Sequence, residues 1–183
     1  MTYRPITDMW ILARPKVKYW GAFPSGFLSR ARELLGVHAD DPILHVCSGM
    51  VRKYPFRGLG KNDKTLDLDP SLQPDFVQDA RDPLPGPPLE LVSFASRGWP
   101  AILIDRPYTE ADAEHYAVGA AVLPDPNALL RNALGAVRPG ARVGMLDYLL
   151  PRPPKTARFV AAVGVIVGFG NRVRIYSVFE RVA

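Results

Sequence analysis

The chain has 183 residues, 48% hydrophobic and 22% charged, with a net charge of +5 from 23 Lys and Arg against 18 Asp and Glu. This size and balance support a hydrophobic core and argue against intrinsic disorder, while the mild basic excess says little by itself about a polyanionic partner. No apolar run reaches the roughly 20 residues that span a bilayer, the first residues lack the apolar core of a secretion signal, and the single cysteine, Cys47, has no internal disulfide partner, so a cytoplasmic protein with no membrane partner is expected.

Residues 1–23 carry Trp10, Tyr19, Trp20 and Phe23 among Lys16 and Lys18, and together with the helix that follows they read as an N-terminal extension, 1–36. In that helix Phe27, Leu28, Ala31, Leu34 and Leu35 share one face and Gly36 is the stop. A core follows over 41–183. Pro42 precedes a short apolar run, Ile43 to Cys47, which reads as a buried strand closed by Ser48-Gly49. Thr65 to Asp69 alternates and stops at Pro70, a second strand; Asp75 to Asp79 is a short third. Residues 89–99 are ambiguous between helix and strand, and Ala101 to Ile104 is a fourth strand ending on Asp105.

Thr109 and Asp112 give a capping signal for a helix to about Val118. Asp125-Pro126 opens a better one, with Ala128, Leu129, Ala133, Leu134 and Val137 on its apolar side and Pro139-Gly140 as its end. Arg142 to Leu149 reads as a strand. The tail reads as a hairpin: Phe159 to Val167, a turn over Gly168 to Asn171, then an alternating strand, Val173 to Val182. Proline clusters at Pro83–Pro88 and Pro151–Pro154 read as rigid loops between these elements. Strands alternating with helices, then a hairpin, predict a Rossmann-like α/β fold in one domain, 1–183, its mostly parallel sheet carrying a C-terminal antiparallel hairpin.

Such sheets bind ligands beyond the carboxyl ends of their strands, where strand order reverses. The first strand ends in Cys47-Ser48-Gly49, where a glycine lets backbone N–H groups approach a ligand, although a plain turn uses glycine equally. Neither G-x-G-x-x-G nor a Walker A loop is present, which argues against a pyrophosphate or triphosphate ligand. Asp67 follows Gly49 at the spacing of a ribose-binding carboxylate, set against a solvated strand end, the reading kept for Asp69. Asp79 and Ala80 either border an adenine edge or form a turn with Arg81 and Asp82. In Asp105-Arg106-Pro107-Tyr108 a strand-tip carboxylate can accept from an exocyclic amine and an aromatic ring can stack on its base; a tight turn capping the next helix is the alternative.

This ordered set resembles the class I S-adenosylmethionine-dependent methyltransferases over most of the chain, down to the Arg138-Pro139-Gly140 turn before the fifth strand. Asp105 to Tyr108 looks like the Asp-Pro-Pro-Tyr motif of amino-methyltransferases acting on adenine or cytosine N4, and Lys18 to Phe23 looks like the extra cofactor motif of some of them. The resemblance implies S-adenosyl-L-methionine as cofactor, with Gly49, beside Cys47 and Ser48, packed on its methionine part, Asp67 on its ribose, and Asp79 with Ala80 near its adenine. It implies Asp105, Pro107 and Tyr108 as catalytic residues toward a nucleobase amine in DNA or RNA, or a small molecule. Arg106 departs from the family's proline and places a cation by the site, the glycine loop is short, and Val51 to Gly60 holds glycines and a proline where the family has a helix. A non-catalytic partner subunit of another methyltransferase is the competing function, motivated by Arg106. His38, His45 and His115 are scattered, so no metal is expected; His45 reads as a core histidine, and His115 sits where it could face the acceptor.

Overall fold

The computed structural model describes residues 4–16, 22–53, 59–92, 97–119, 122–168 and 172–182. In chain order the elements are β1 (Ile6–Leu12), α1 (Phe27–Leu35), β2 (Ile43–Val46), β3 (Lys64–Asp67), β4 (Phe76–Val77), β5 (Trp99–Ile104), α2 (Glu110–His115), α3 (Pro126–Ala136), β6 (Val137–Asp147), β7 (Ala157–Val167) and β8 (Val173–Arg181), with short 3₁₀ turns at Val51–Lys53, Pro70–Leu72 and Leu89–Leu91. The strands form one eight-stranded sheet in the order β1-β7-β8-β6-β5-β2-β3-β4. Only β8 runs against the others, pairing antiparallel with both β6 and β7. This is the expected mostly parallel sheet with its C-terminal hairpin.

Burial on both faces explains the central strands. Every residue of β2 and β5 is buried, as a parallel strand covered on two sides requires. On one face Phe27, Leu28, Ala31 and Leu35 of α1 share a core with Ile43, Leu103, Val163, Val165 and Tyr176. On the other, Leu129, Leu130, Ala133 and Leu134 of α3 share one with Trp99, Ile102, Ile104, Val143 and Met145. The helix signals act as read: α1 ends on Gly36 in a left-handed conformation, Thr109 and Asp112 form a reciprocal capping box on α2, and the Asp125 carboxylate accepts from the N–H groups of Asn127 and Ala128 above α3.

One strand was not anticipated, and two local expectations are corrected. The N-terminal segment contains a strand, β1, which adds to the sheet edge parallel to β7. Helix α3 ends at Ala136, not at Pro139-Gly140, because Val137 already pairs with Trp99 and the chain from Val137 onward belongs to β6. The 89–99 stretch is neither helix nor strand at its start but a 3₁₀ turn, with β5 beginning at Trp99; residues 93–96 lie outside the described residues. The same holds for 17–21, 54–58 and 169–171, and so for most of the Lys18–Phe23 motif, much of Val51–Gly60 and most of the final turn. Among the described residues, no helix is long and apolar enough to cross a membrane.

Candidate active site

The chain runs from β2 outward through β3 to β4, then returns to the opposite side of β2 as β5. The crevice at this reversal lies beyond the carboxyl ends of β2 and β5. The tips around it are tied by backbone hydrogen bonds: Ser48 N–H to the Leu66 carbonyl at 3.1 Å, Gln78 N–H to Asp67 at 3.0 Å, and Asp105 N–H to Val46 at 3.2 Å. A cavity of about 570 Å³ opens there, within the range of small-molecule sites. Its lining includes all nine residues singled out in the sequence: Cys47, Ser48, Gly49, Asp67, Asp79, Ala80, Asp105, Pro107 and Tyr108.

Cys47 leaves β2 with φ 55°, and Gly49 follows at φ 52°. A Cβ on Gly49 would meet nothing within 4 Å, so the loop presents bare backbone to open space. The Gly49 N–H donates to Asp67 Oδ2 at 2.8 Å, and the Asp69 N–H to Asp67 Oδ1 at 3.1 Å. Each carboxylate oxygen keeps a second lone pair, so Asp67 braces the loop and can still accept from a ligand. Ser48 Oγ is buried on this wall with no hydrogen-bond partner among the described residues. Such a group is costly to bury alone, and a polar ligand would satisfy it. Burial, then the nearby Asp67, Asp105 and Asp79, push the Cys47 thiol well up, so it stands as an inert lining group.

Asp69 takes the structural role: it caps the 3₁₀ turn through the Ser71 N–H. The Asp79 carboxylate is held by Arg81, whose backbone N–H, Nε and Nη2 all donate to it, and this pairing keeps it below the usual carboxylate range. Ala80 is buried beside it. Sequence reasoning missed the side chain that fixes this turn: Asn132 of α3 donates to the carbonyls of Ala80, Arg81 and Asp82 at 3.3, 2.8 and 3.2 Å.

At the end of β5 the Tyr108 hydroxyl donates to Asp105 Oδ1. Burial pushes the Asp105 carboxyl up to about 6, against the downward pull of the Tyr108 hydrogen bond and of Arg174. The Tyr108 ring lies 4.9 Å from that of Tyr148, tilted 53°, and the Arg174 guanidinium sits 6.0 Å over it. Arg106 does not reach the cavity as a loose cation. It is buried against Asp147 at 2.6 Å, with Nη1 donating to the Pro107 carbonyl at 2.8 Å.

His45 is buried, its Nε2 3.0 Å from Asp63, and is the core histidine expected. His115, at the end of α2, lines the cavity beside Tyr116. Tyr148, Arg172 and Arg174 also line it. Their only sequence signal is the alternation that puts both arginines on one side of the last strand.

The chain has a Rossmann-like α/β fold, and solved methyltransferase structures share it. TrmN from Thermus thermophilus superposes with a TM-score of 0.55 at 19% identity over 85% of this chain and 48% of that one, so this chain spans about half of TrmN's length. An S-adenosylmethionine-dependent methyltransferase from Aquifex aeolicus superposes with a TM-score of 0.50 at 12% identity, over 85% of this chain and 90% of that one. No family model and no curated protein matches the sequence.

Proposed function

We propose that this chain binds S-adenosyl-L-methionine in the cavity and transfers a methyl group to an acceptor amine, either an exocyclic amine of a nucleobase in DNA or RNA or one on a small molecule. The observation that carries the reading is the convergence on one cavity of the open Gly49 loop, the unpartnered Ser48 Oγ, the Asp67 carboxylate and the Asp105 tip, at the reversal point of a methyltransferase-type sheet. The residues present fit the cofactor. Asp67 has lone pairs for two ribose hydroxyls, Ser48 Oγ offers a hydrogen bond, Gly49 leaves room for the methionine part, and the Ala80 turn provides a wall for the adenine.

When bound, the cofactor supplies an electrophilic methyl on a leaving group that needs no activation, so the chain's own contribution is alignment. Asp105 accepts a hydrogen bond from an N–H of the acceptor amine, turns the nitrogen toward the cofactor pocket, and receives the proton that the nitrogen sheds as the new N–C bond forms. Pro107 holds the loop in register, and Tyr108 with Tyr148 forms an aromatic wall for a flat ring.

Isothermal calorimetry with S-adenosylmethionine and S-adenosylhomocysteine tests the cofactor, and transfer of labelled methyl to DNA, RNA and metabolite pools tests the reaction. A higher melting temperature with either ligand is expected; no binding of either at millimolar concentration overturns the reading. A second reading, a cofactor-binding subunit that is not itself catalytic, draws on the Asp105 carboxylate being already engaged by Tyr108 and on Arg106 being withdrawn into its ion pair. Turnover by the purified chain excludes it; cofactor binding without turnover, with a larger methyltransferase recovered in a pull-down, favours it.

A further inference from the structure

The charged groups of the cavity are unevenly spread. The carboxylates of Asp67, Asp79 and Asp105 stand at or just beyond the ends of β3, β4 and β5, with Asp79 paired to Arg81. The wall built by the end of β6 and the start of β8 instead carries Tyr148, Arg172 and Arg174, the two arginines feeling the more distant Asp112 and Asp105. Because β8 alone runs against the sheet, its first residues lie where the other strands end. Arg172 and Arg174 are two residues apart at the entry to an extended strand, so they leave the same face. Arg172 Nη1 reaches Tyr148 Oη at 3.4 Å and Arg174 Nη1 reaches Tyr108 Oη at 3.5 Å. Two phenol rings in contact are thus flanked by two guanidiniums. Among the described residues, neither guanidinium has an ion-pair partner within 4.0 Å, unlike Arg32, Arg52, Arg81, Arg106, Arg142 and Arg158.

We propose that Arg172 and Arg174 bind the phosphate of a nucleotide whose base lies against Tyr108 and Tyr148, so that the acceptor is a nucleotide unit, free or within a polynucleotide. This rests on the methyl-transfer reading of the same cavity. This uneven charge assigns the two ligands. A cationic sulfonium belongs in the carboxylate-lined half, and the basic half is left for an anionic partner. Guanidinium forks match phosphate oxygens two at a time, and both arginines keep donors beyond their single tyrosine contact. Aromatic rings stack on any base, and Asp105 at their edge selects one that carries an amine.

The test is calorimetry on the purified full chain with the four 5′-mononucleotides, their nucleosides, and mixed-sequence single-stranded RNA and DNA 20-mers, each with and without saturating S-adenosylhomocysteine. At least one mononucleotide is expected to bind about tenfold or more tightly than its nucleoside, the scale of one charge-assisted hydrogen bond. That margin is expected to vanish in the Arg172→Ala/Arg174→Ala double variant with S-adenosylhomocysteine affinity retained. If the site takes a nucleotide within a strand, a 20-mer outcompetes the mononucleotides, and the slope of log K against log salt becomes shallower in the double variant by about 1.4, two contacts at about 0.7 each. Should Arg174→Ala fail to fold, Arg172→Ala, whose side chain is exposed, carries the comparison alone. Equal affinity for nucleosides and nucleotides, or a margin that survives loss of the arginines, overturns the inference. Absence of S-adenosylhomocysteine binding overturns the proposed function instead, and the cofactor-free arm separates the two.

Discussion

Arg106 Nε lies 2.6 Å from Asp147 Oδ2 and its Nη2 lies 3.2 Å from Oδ1, so a two-pronged ion pair sealed from solvent joins the end of β5 to the end of β6. The same carboxylate accepts the backbone N–H groups of Tyr148 at 2.6 Å and Leu149 at 3.1 Å, so the loop that carries Tyr148 hangs from it. The cation that the sequence places by the site is therefore structural, neutralised by Asp147. Removing one partner leaves the other charge buried alone. Arg106→Ala and Asp147→Ala should each destabilise the fold by about 3–5 kcal/mol and lower the melting temperature by on the order of 10 °C. Arg106→Pro should cost as much and not be tolerated as a neutral change. Chemical denaturation checks this; wild-type stability in Arg106→Ala would show that the pair contributes nothing.

Asp105 gives the site a pH dependence with a definite sign. Burial raises its carboxyl from 3.8 to about 6 in the folded chain, so it contributes stability that is present below pH 3.8 and lost as pH rises toward 6. In the proposed reaction its role as acceptor for an amine runs the opposite way, since the charged carboxylate is the stronger acceptor and the protonated acid turns one oxygen into a donor, so the pH profile of kcat/KM should fall on the acid side near pH 6. The Tyr108 hydroxyl bonds to the charged form and pulls the Asp105 value down. Tyr108→Phe should then stay close to wild type at pH 8 yet lose activity at pH 6.5, its acid limb shifted upward. An acid limb in the same place as that of the wild type would mean that this hydrogen bond does not tune Asp105.

Away from the cavity, Asp63 collects four donors. Arg32 Nη2 lies at 2.6 Å, His45 Nε2 at 3.0 Å, and the Ile43 and Gly60 N–H groups at 2.9 and 2.7 Å. Burial alone would raise its carboxyl, but His45 and Arg32 outweigh this and hold it below the usual range. A depressed folded value contributes stability above the unfolded value that is lost as pH falls through the folded one. Asp63→Asn should therefore cost about 3–5 kcal/mol at pH 7, because it breaks a buried ion pair by removing the charge that Arg32 and His45 face. The gap to wild type should narrow as pH falls below 4. Urea melts at both pH values read the gap directly, and a constant gap would sink the argument.

What the sequence revealed was local, and what it hid was long-range. The strand tips at Gly49, Asp67 and Asp105, the Gly36 stop and the Thr109–Asp112 box each depend on a few neighbouring residues. Strand β1 was illegible because only Trp10 and Leu12 of its seven residues are buried and its pairing partner is β7, far along the chain. Pro139-Gly140 misled because a pairing of Val137 with Trp99 had already ended α3. Arg106 looked available because its partner, Asp147, is 41 residues away. Arg172 and Arg174 became site residues only once the reversed direction of β8 placed them beside Tyr148 and Tyr108.

Asp67 joins the legible and the hidden parts, and its two substitutions separate them. The carboxylate holds the Gly49 and Asp69 N–H groups while keeping lone pairs for the ribose of the proposed cofactor. Asp67→Ala removes the brace and, on that proposal, the ribose contact. It should leave the Gly49 N–H without a partner, costing about 1–3 kcal/mol, and reduce S-adenosylhomocysteine affinity by at least about tenfold, since hydrogen bonds to a charged group are worth about 1.5–3 kcal/mol each. Asp67→Asn keeps an amide oxygen that can accept from Gly49 but loses the charge and half of the acceptor capacity that a ribose needs. It should therefore keep most of the stability and lose most of the affinity. Differential scanning calorimetry and ligand titration of the two variants give the four numbers required. If Asp67→Asn lowers the melting temperature but leaves S-adenosylhomocysteine binding unchanged, Asp67 is a brace for the Gly49 loop and the ribose contact lies elsewhere.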